Sequence, residues 1–394
     1  MVEPEAEAVS NDWPGWRGVT RKGLLSWLPD ELPDTANFIW RADLPSPGIG
    51  GLAASDGVVI VGGRNVTDNS DVFQCFDAET GDERWSYRQF APGKVDYGNT
   101  PRATPLIANG HVWVSGAFGH LACLRLTDGE PVWTIHQQID FAAAPMIWGH
   151  AGTPLLVNDR LIIQPGGPDA ALVALKPLTG EVIWETPGNP PGYSSLIAAE
   201  IDGQTQVIGY EEHALCGWNL ETGKQLWSLT PPYKGDFNVP TPIFHNNKLF
   251  VATENNGTRA YEFEEQRKIK TEPVMICDDL TPDSHTPVIA GDRLFGVWDG
   301  LFCLDLKNDL KPVWINEDRA FNNYVSLVTD GKHLLATTVK SELLLFDVSS
   351  DQPEPMDRLE LTSDRTDTYA HPAFFGKNIY VRINKDLCCL KLAP

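Results

Sequence analysis

No stretch of this 394-residue sequence approaches 18 uninterrupted apolar residues, so no membrane-spanning helix is expected. Positive charge is scarce: 31 Lys and Arg stand against 53 Asp and Glu, a net charge of -22. Such a surface repels phosphate backbones and anionic lipid, which argues against nucleic acid as a partner. The first twelve residues, MVEPEAEAVSND, are acidic where an export signal would be basic and then apolar. The seven cysteines are odd in number and lack the dense spacing of a disulfide scaffold, so they leave the redox compartment open. Chemical motifs are equally sparse, with no Cys-x-x-Cys-His, His-Glu-x-x-His, Gly-x-Ser-x-Gly or phosphate loop.

What the sequence has is a repeat. Two-residue turn signals stand at Asp56-Gly57, Asn109-Gly110, Asn158-Asp159, Asp202-Gly203, Asn246-Asn247, Gly291-Asp292, Asp330-Gly331 and Gly376-Lys377, about 46 residues apart. After each comes a short apolar strand such as VVIVGG, HVWVSG or KLFVAT, then a further strand such as VFQCFD, HLACLR or ELLLFD. A tight Thr-Gly or Asp-Gly turn then leads to a last strand carrying Trp85, Trp133, Trp184, Trp227 or Trp314. A tryptophan at one recurring position is a large apolar wedge between neighbouring sheets. The fifth and seventh repeats, with TEPVMI and PMDRLEL, are degenerate there.

The eighth repeat stops after DLCCLK, which would leave an open sheet edge. The strand FIWRAD, residues 38–43, supplies the missing edge and puts Trp40 in the tryptophan position. The expected fold is therefore all-β: one eight-bladed β-propeller of four-stranded antiparallel blades, its last blade closed by the N-terminal strand. Residues 1–36 read as an N-terminal arm and 37–394 as the propeller, a monomer.

The segments FDAETGDERW (76–85), LKPLTGEVIW (175–184) and WNLETGKQLW (218–227) resemble the tryptophan-docking motif of pyrroloquinoline-quinone-type propellers. The runs DWPGWRG (12–18), YGNTPRATP (97–105) and PGYSSLIAAEIDG (191–203) are similar to those of exported bacterial quinoprotein-like propellers. That family includes both the scaffold lipoprotein of outer-membrane assembly and quinone-dependent alcohol dehydrogenases. The resemblance thus implies a periplasmic or extracytoplasmic place and leaves enzyme and non-enzyme open. The dehydrogenases use pyrroloquinoline quinone, Ca2+ and a vicinal disulfide, and carry longer insertions. Cys388-Cys389 is the one vicinal pair here, yet Cys389 shares a column of small residues with Cys75, Cys123, Ala174, Gly217, Ala260 and Cys303, which favours packing. Trp298-Asp299 falls in a loop, so a WD-repeat reading is poor.

In a propeller, the connections between blades and the loops between second and third strands share one face. In this sequence that face holds Tyr97, Asn99, Arg102, Trp148, His150, Tyr193, Asn238, His285, Tyr324, Tyr369 and His371 around the mouth of the channel. Aromatic, amide, imidazole and guanidinium groups together suit a polar ligand, a glycan or a protein. The competing reading is that Thr104-Pro105, Thr153-Pro154, Thr241-Pro242, Thr286-Pro287 and His371-Pro372 simply start each inner strand, with neighbouring polar groups satisfying the backbone. Asp283 and Asp367 are candidates to orient His285 and His371. The expected function is an exported binding or scaffold propeller using this face. The alternative is a dehydrogenase dependent on pyrroloquinoline quinone and calcium, with Arg102 near the quinone and an Asp as base; a lyase or hydrolase stands further off.

Overall fold

The computed structural model describes residues 10–363 and 367–392. Of the expected N-terminal arm, residues 1–9 lie outside the described residues, as do 364–366, 393 and 394.

Eight four-stranded antiparallel sheets form the molecule. Blades 1 to 7 occupy residues 53–90, 106–136, 155–186, 197–229, 243–277, 288–316 and 325–360, each running from inner to outer strand in chain order. Blade 8 takes its inner three strands from 373–391 and its outer one from Phe38–Asp43, which pairs antiparallel with Asp386–Lys391. The ring is closed as expected. The turn signals work through backbone conformation: Asp56 and Gly57 have φ of 53° and 73°, and Asn109 and Gly110 have 51° and 71°. These left-handed pairs match the twist of the strands they join.

Tryptophans lock one blade to the next. The indole N–H of Trp40 donates to Ala78 O, Trp85 to Leu126 O, Trp133 to Pro177 O, Trp184 to Leu220 O and Trp314 to Ser350 O. The column of small residues explains how the wedge fits. Trp85, Trp133, Trp184, Trp227, Trp314 and Trp40 lie opposite Cys75, Cys123, Ala174, Gly217, Cys303 and Cys389 on the adjoining strands. A Cβ on Gly217 would lie 2.2 Å from Trp227. In blade 5 the tryptophan is replaced by Met275, opposite Ala260.

From residue 10 onward the arm runs through the channel. Asn11 Nδ2 donates to Gly376 O at the hairpin-turn face. Trp13 then pairs with Ala54 on the inner strand of blade 1, and Ile107 N of blade 2 donates to Pro14 O. The chain turns through Gly18 and Arg21, both at positive φ, and returns along blade 7, where Thr329 N donates to Gly23 O and Leu25 N to Thr329 O. It leaves at the hairpin-turn face, with Leu28 N bonded to Asp330 Oδ2, and goes on to close blade 8.

Candidate functional site

The channel wall at the loop-rich face is a belt of buried hydroxyls. Thr104 N donates to Thr153 Oγ1 (3.1 Å), Thr153 N to Ser195 Oγ (3.1 Å), Ser195 N to Thr241 Oγ1 (3.2 Å) and Thr241 N to Thr286 Oγ1 (3.0 Å). Each starts an inner strand, so four Thr-Pro steps and Ser195 in blade 4 stitch successive blades together. Their carbonyls face inward and receive the arm. Arg17 Nη1 donates to Thr286 O (2.7 Å) and its Nη2 to Pro287 O (2.6 Å) and Lys22 O (2.9 Å). Arg21 donates to Pro154 O and Thr153 O on the other side of the channel. Burial pushes both guanidinium groups down to about 9. Trp16 completes the tip: its Nε1 donates to Thr241 Oγ1 (3.2 Å) and its ring meets His371 edge-on at 4.6 Å. The mouth therefore has a floor made by the N-terminal arm.

Above the floor the connections between blades raise an aromatic rim. Trp148 is its centre, 4.8 Å from Tyr193, 4.4 Å from Phe237 and 6.2 Å from Tyr97, centroid to centroid. Across the mouth Tyr324 lies 5.3 Å from Tyr369 and 5.8 Å from His285. Tyr97 is 76% exposed and Phe237 52%, so these rings are presented to solvent rather than spent on the core.

The remaining polar candidates serve the loops. Arg102 donates to the carbonyls of Thr100, Asp96 and Gly98 in its own loop, and Asn99 bridges Val95 N and Asp68 Oδ2. Asn238 is buried in a left-handed conformation and donates to Glu212 O. His285 Nε2 bonds Asn323 O, while its Nδ1 lies 3.9 Å from Asp283. Burial pushes His285 down against the pull of Asp283. Asp367 does not orient His371; it pairs with Lys340, and His371 Nδ1 bonds Ser326 Oγ at 3.0 Å. Burial, then Arg17 and His285, push His371 down to about 3. His150 is likewise buried and falls to about 4, with His136 as the second cause. The sequence reading missed Phe237 and the tip residues Trp16, Arg17 and Arg21. The signal for the tip was present in DWPGWRG, two tryptophans and an arginine within seven residues of an acidic chain.

The residues present do not fit pyrroloquinoline quinone and calcium. Cys388 and Cys389 are free thiols with 0% exposure, packed in the core with Trp40 and Tyr380 rather than at the mouth. Arg102 is committed to its own loop, and Trp16, Arg17 and Arg21 fill the channel axis. Among the described residues no group of three His, Cys, Asp or Glu side chains is placed to hold a metal.

Solved structures show the same fold at low identity. A europium-containing methanol dehydrogenase superposes with a TM-score of 0.63 at 13% identity, covering 94% of this chain and 89% of that one. The quinohemoprotein alcohol dehydrogenase of Comamonas testosteroni gives 0.54 at 14%, covering 97% and 80%. The designed protein Ika8 gives 0.60 at 10%, covering 89% and 97%. A curated relative is closer in sequence: the outer membrane protein assembly factor BamB of Nitrosomonas eutropha (strain DSM 101675 / C91 / Nm57) is 27% identical over 205 residues. That match spans 50% of this chain and 45% of the relative, less than half its length. The family model described as outer membrane protein assembly factor BamB matches residues 33–198 and 187–316, well over half of the chain, and the protein belongs to that family of quinoprotein-like propellers.

Proposed function

We propose that the protein is an exported scaffold propeller of the bacterial envelope that holds a protein or glycan partner on its loop-rich face. The observation that carries this reading is the aromatic rim of Tyr97, Trp148, Tyr193 and Phe237 standing over a channel sealed by the chain's own arm. Exposed, mutually packed aromatic rings bind through large area at low entropic cost, and they serve peptide and sugar faces alike. Membership of a family whose name is that of an assembly factor supports a partner rather than a turnover substrate. No helix of the described residues is long and apolar enough to cross a membrane.

The test compares the wild type with a Trp148→Ala/Phe237→Ala variant on glycan arrays and in partner capture from envelope extracts, with quinone binding followed in parallel. Binding lost in the variant and kept in a control altered at exposed Glu181 supports the reading. Saturable binding of pyrroloquinoline quinone and calcium with dye reduction by alcohols would overturn it.

A further inference from the structure

A cleft of about 760 Å³ opens between blades 4 and 5, apart from the channel mouth and within the size range of small-ligand sites. It lies on the seam where the repeat breaks down. Trp227 is the docking tryptophan that donates to its own blade, at Gln206 Oε1 (2.7 Å), and Gln206 Nε2 relays the contact to Arg267 O of blade 5 (3.0 Å). The outer strand of blade 5 is only three residues long, Met275–Cys277. Toward the loop-rich end of the seam this short edge leaves the cleft between Thr230–Pro232 of blade 4 and Asn255–Gly257 of blade 5.

Arg259 lines this cleft and is 5% exposed. Four arginines of the described residues are buried this deeply, and in the other three at least two of the guanidinium nitrogens have partners. Arg64 pairs with Asp68 and Asp71, Arg17 donates to three carbonyls, and Arg382 to those of Gly62, Ser46 and Asn384. Arg259 donates from Nη2 to Thr253 Oγ1 at 3.2 Å, lies beside Tyr261 at 5.9 Å from its ring centroid, and leaves its Nε unpartnered, as it also is in Arg17. It forms no ion pair with any described carboxylate. A buried cation so thinly partnered leaves hydrogen-bonding capacity that an anion would complete.

The walls are fixed before any ligand arrives. Asp236 Oδ1 accepts from Asn255 N and Nδ2, Asp236 Oδ2 accepts from Asn256 Nδ2, and Asn256 Oδ1 accepts from Tyr233 N. We infer that this cleft is a binding site for an organic monocarboxylate. Arg259 takes the carboxylate in fork geometry, and Leu229, Pro231, Pro232 and Ile276 receive its apolar part. Glu272 and Asp278, also on the lining, repel a dianion such as hydrogen phosphate about twice as strongly as a monocarboxylate. A free small acid and a peptide C-terminus share this chemistry.

The test is calorimetric titration of the full chain with 3-phenylpropionate, with N-acetyl-Ala-Ala-Leu bearing a free C-terminus, and with the amide of that tripeptide. Either carboxylate should bind and the amide should not, with affinity reduced at least tenfold in Arg259→Gln. A free acid alone binding identifies a small-molecule source; the tripeptide binding more tightly identifies a peptide end. Because Arg259 is buried, Ile276→Trp serves as the second variant: Ile276 is 49% exposed, and the larger ring should block the cleft without disturbing the core. Absence of carboxylate binding at millimolar concentration, equal binding of the amide, or unchanged affinity in both folded variants would overturn the inference.

Discussion

Trp16 of the N-terminal arm and His371 of blade 8 meet edge to face with ring centroids 4.6 Å apart, joining the chain's beginning to its last blade inside the channel. The same arm then supplies Phe38–Asp43 to that blade. The segment that seals the channel thus continues into the strand that closes the ring, and weakening the tip should weaken the whole ring. Trp16→Ala is expected to cost about 3 kcal/mol, the scale for truncating a large aromatic in a packed setting. Urea unfolding should show a lower midpoint with an unchanged slope; an unchanged midpoint would mean the tip adds nothing to closure.

Acid should destabilise the fold. His120, His150 and His371 are pushed down to about 4, 4 and 3, chiefly by burial, so the native state refuses protons that the unfolded chain accepts below 6.5. Their contribution is fully present above pH 6.5 and is lost as pH falls toward 4. Asp71, which burial pushes up to about 6 against Arg64, takes a proton on the native side and offsets one histidine below pH 6. His285 is pushed the same way, so four histidines act against this one carboxylate and stability falls as pH drops below 6.5. Stability measured by urea unfolding should fall from pH 7 to pH 4.5, and His150→Gln should make that fall shallower.

The small residues opposite the tryptophans should tolerate little growth. Gly217→Val would press a side chain into Trp227, whose ring leaves 2.2 Å for even a Cβ. Cys389→Leu would do the same to Trp40, opposite it on the paired strand. Each is expected to cost about 1–3 kcal/mol by overpacking, whereas Cys389→Ala should cost less. Thermal melts of the three variants separate the packing role of Cys389 from a redox one, because only packing predicts that order.

The blades were legible because each writes its own local signals. Asp56-Gly57 or Asn109-Gly110 needs only neighbouring residues to make a hairpin, and Trp85 or Trp133 recurs at a fixed offset from it. Closure by FIWRAD was legible because an unpaired edge demands a partner. The arm's path was not, since Arg17 and Arg21 bond backbone carbonyls of blades 6 and 3, and a carbonyl has no sequence signature. The mouth was half legible. The connections hold the aromatic rings, but whether a polar side chain faces outward or caps its own loop, as Arg102 and Asn99 do, depends on loop geometry that periodicity does not encode.

Arg102 and Trp148 should therefore part company under mutation. Arg102 spends its guanidinium on Asp96 O and Gly98 O, within the loop that also presents Tyr97. Arg102→Ala frees those carbonyls and should loosen the loop at a cost of about 1–3 kcal/mol, the range for bonds from a charged donor. Trp148 is only partly buried and packs its ring against those of the rim residues Tyr97, Tyr193 and Phe237. Trp148→Ala should lower the midpoint by less while abolishing partner binding. Melting curves and a partner-binding assay on the two variants read the distinction directly. A Trp148→Ala variant that binds as the wild type does would remove the rim from the interface, whatever its stability.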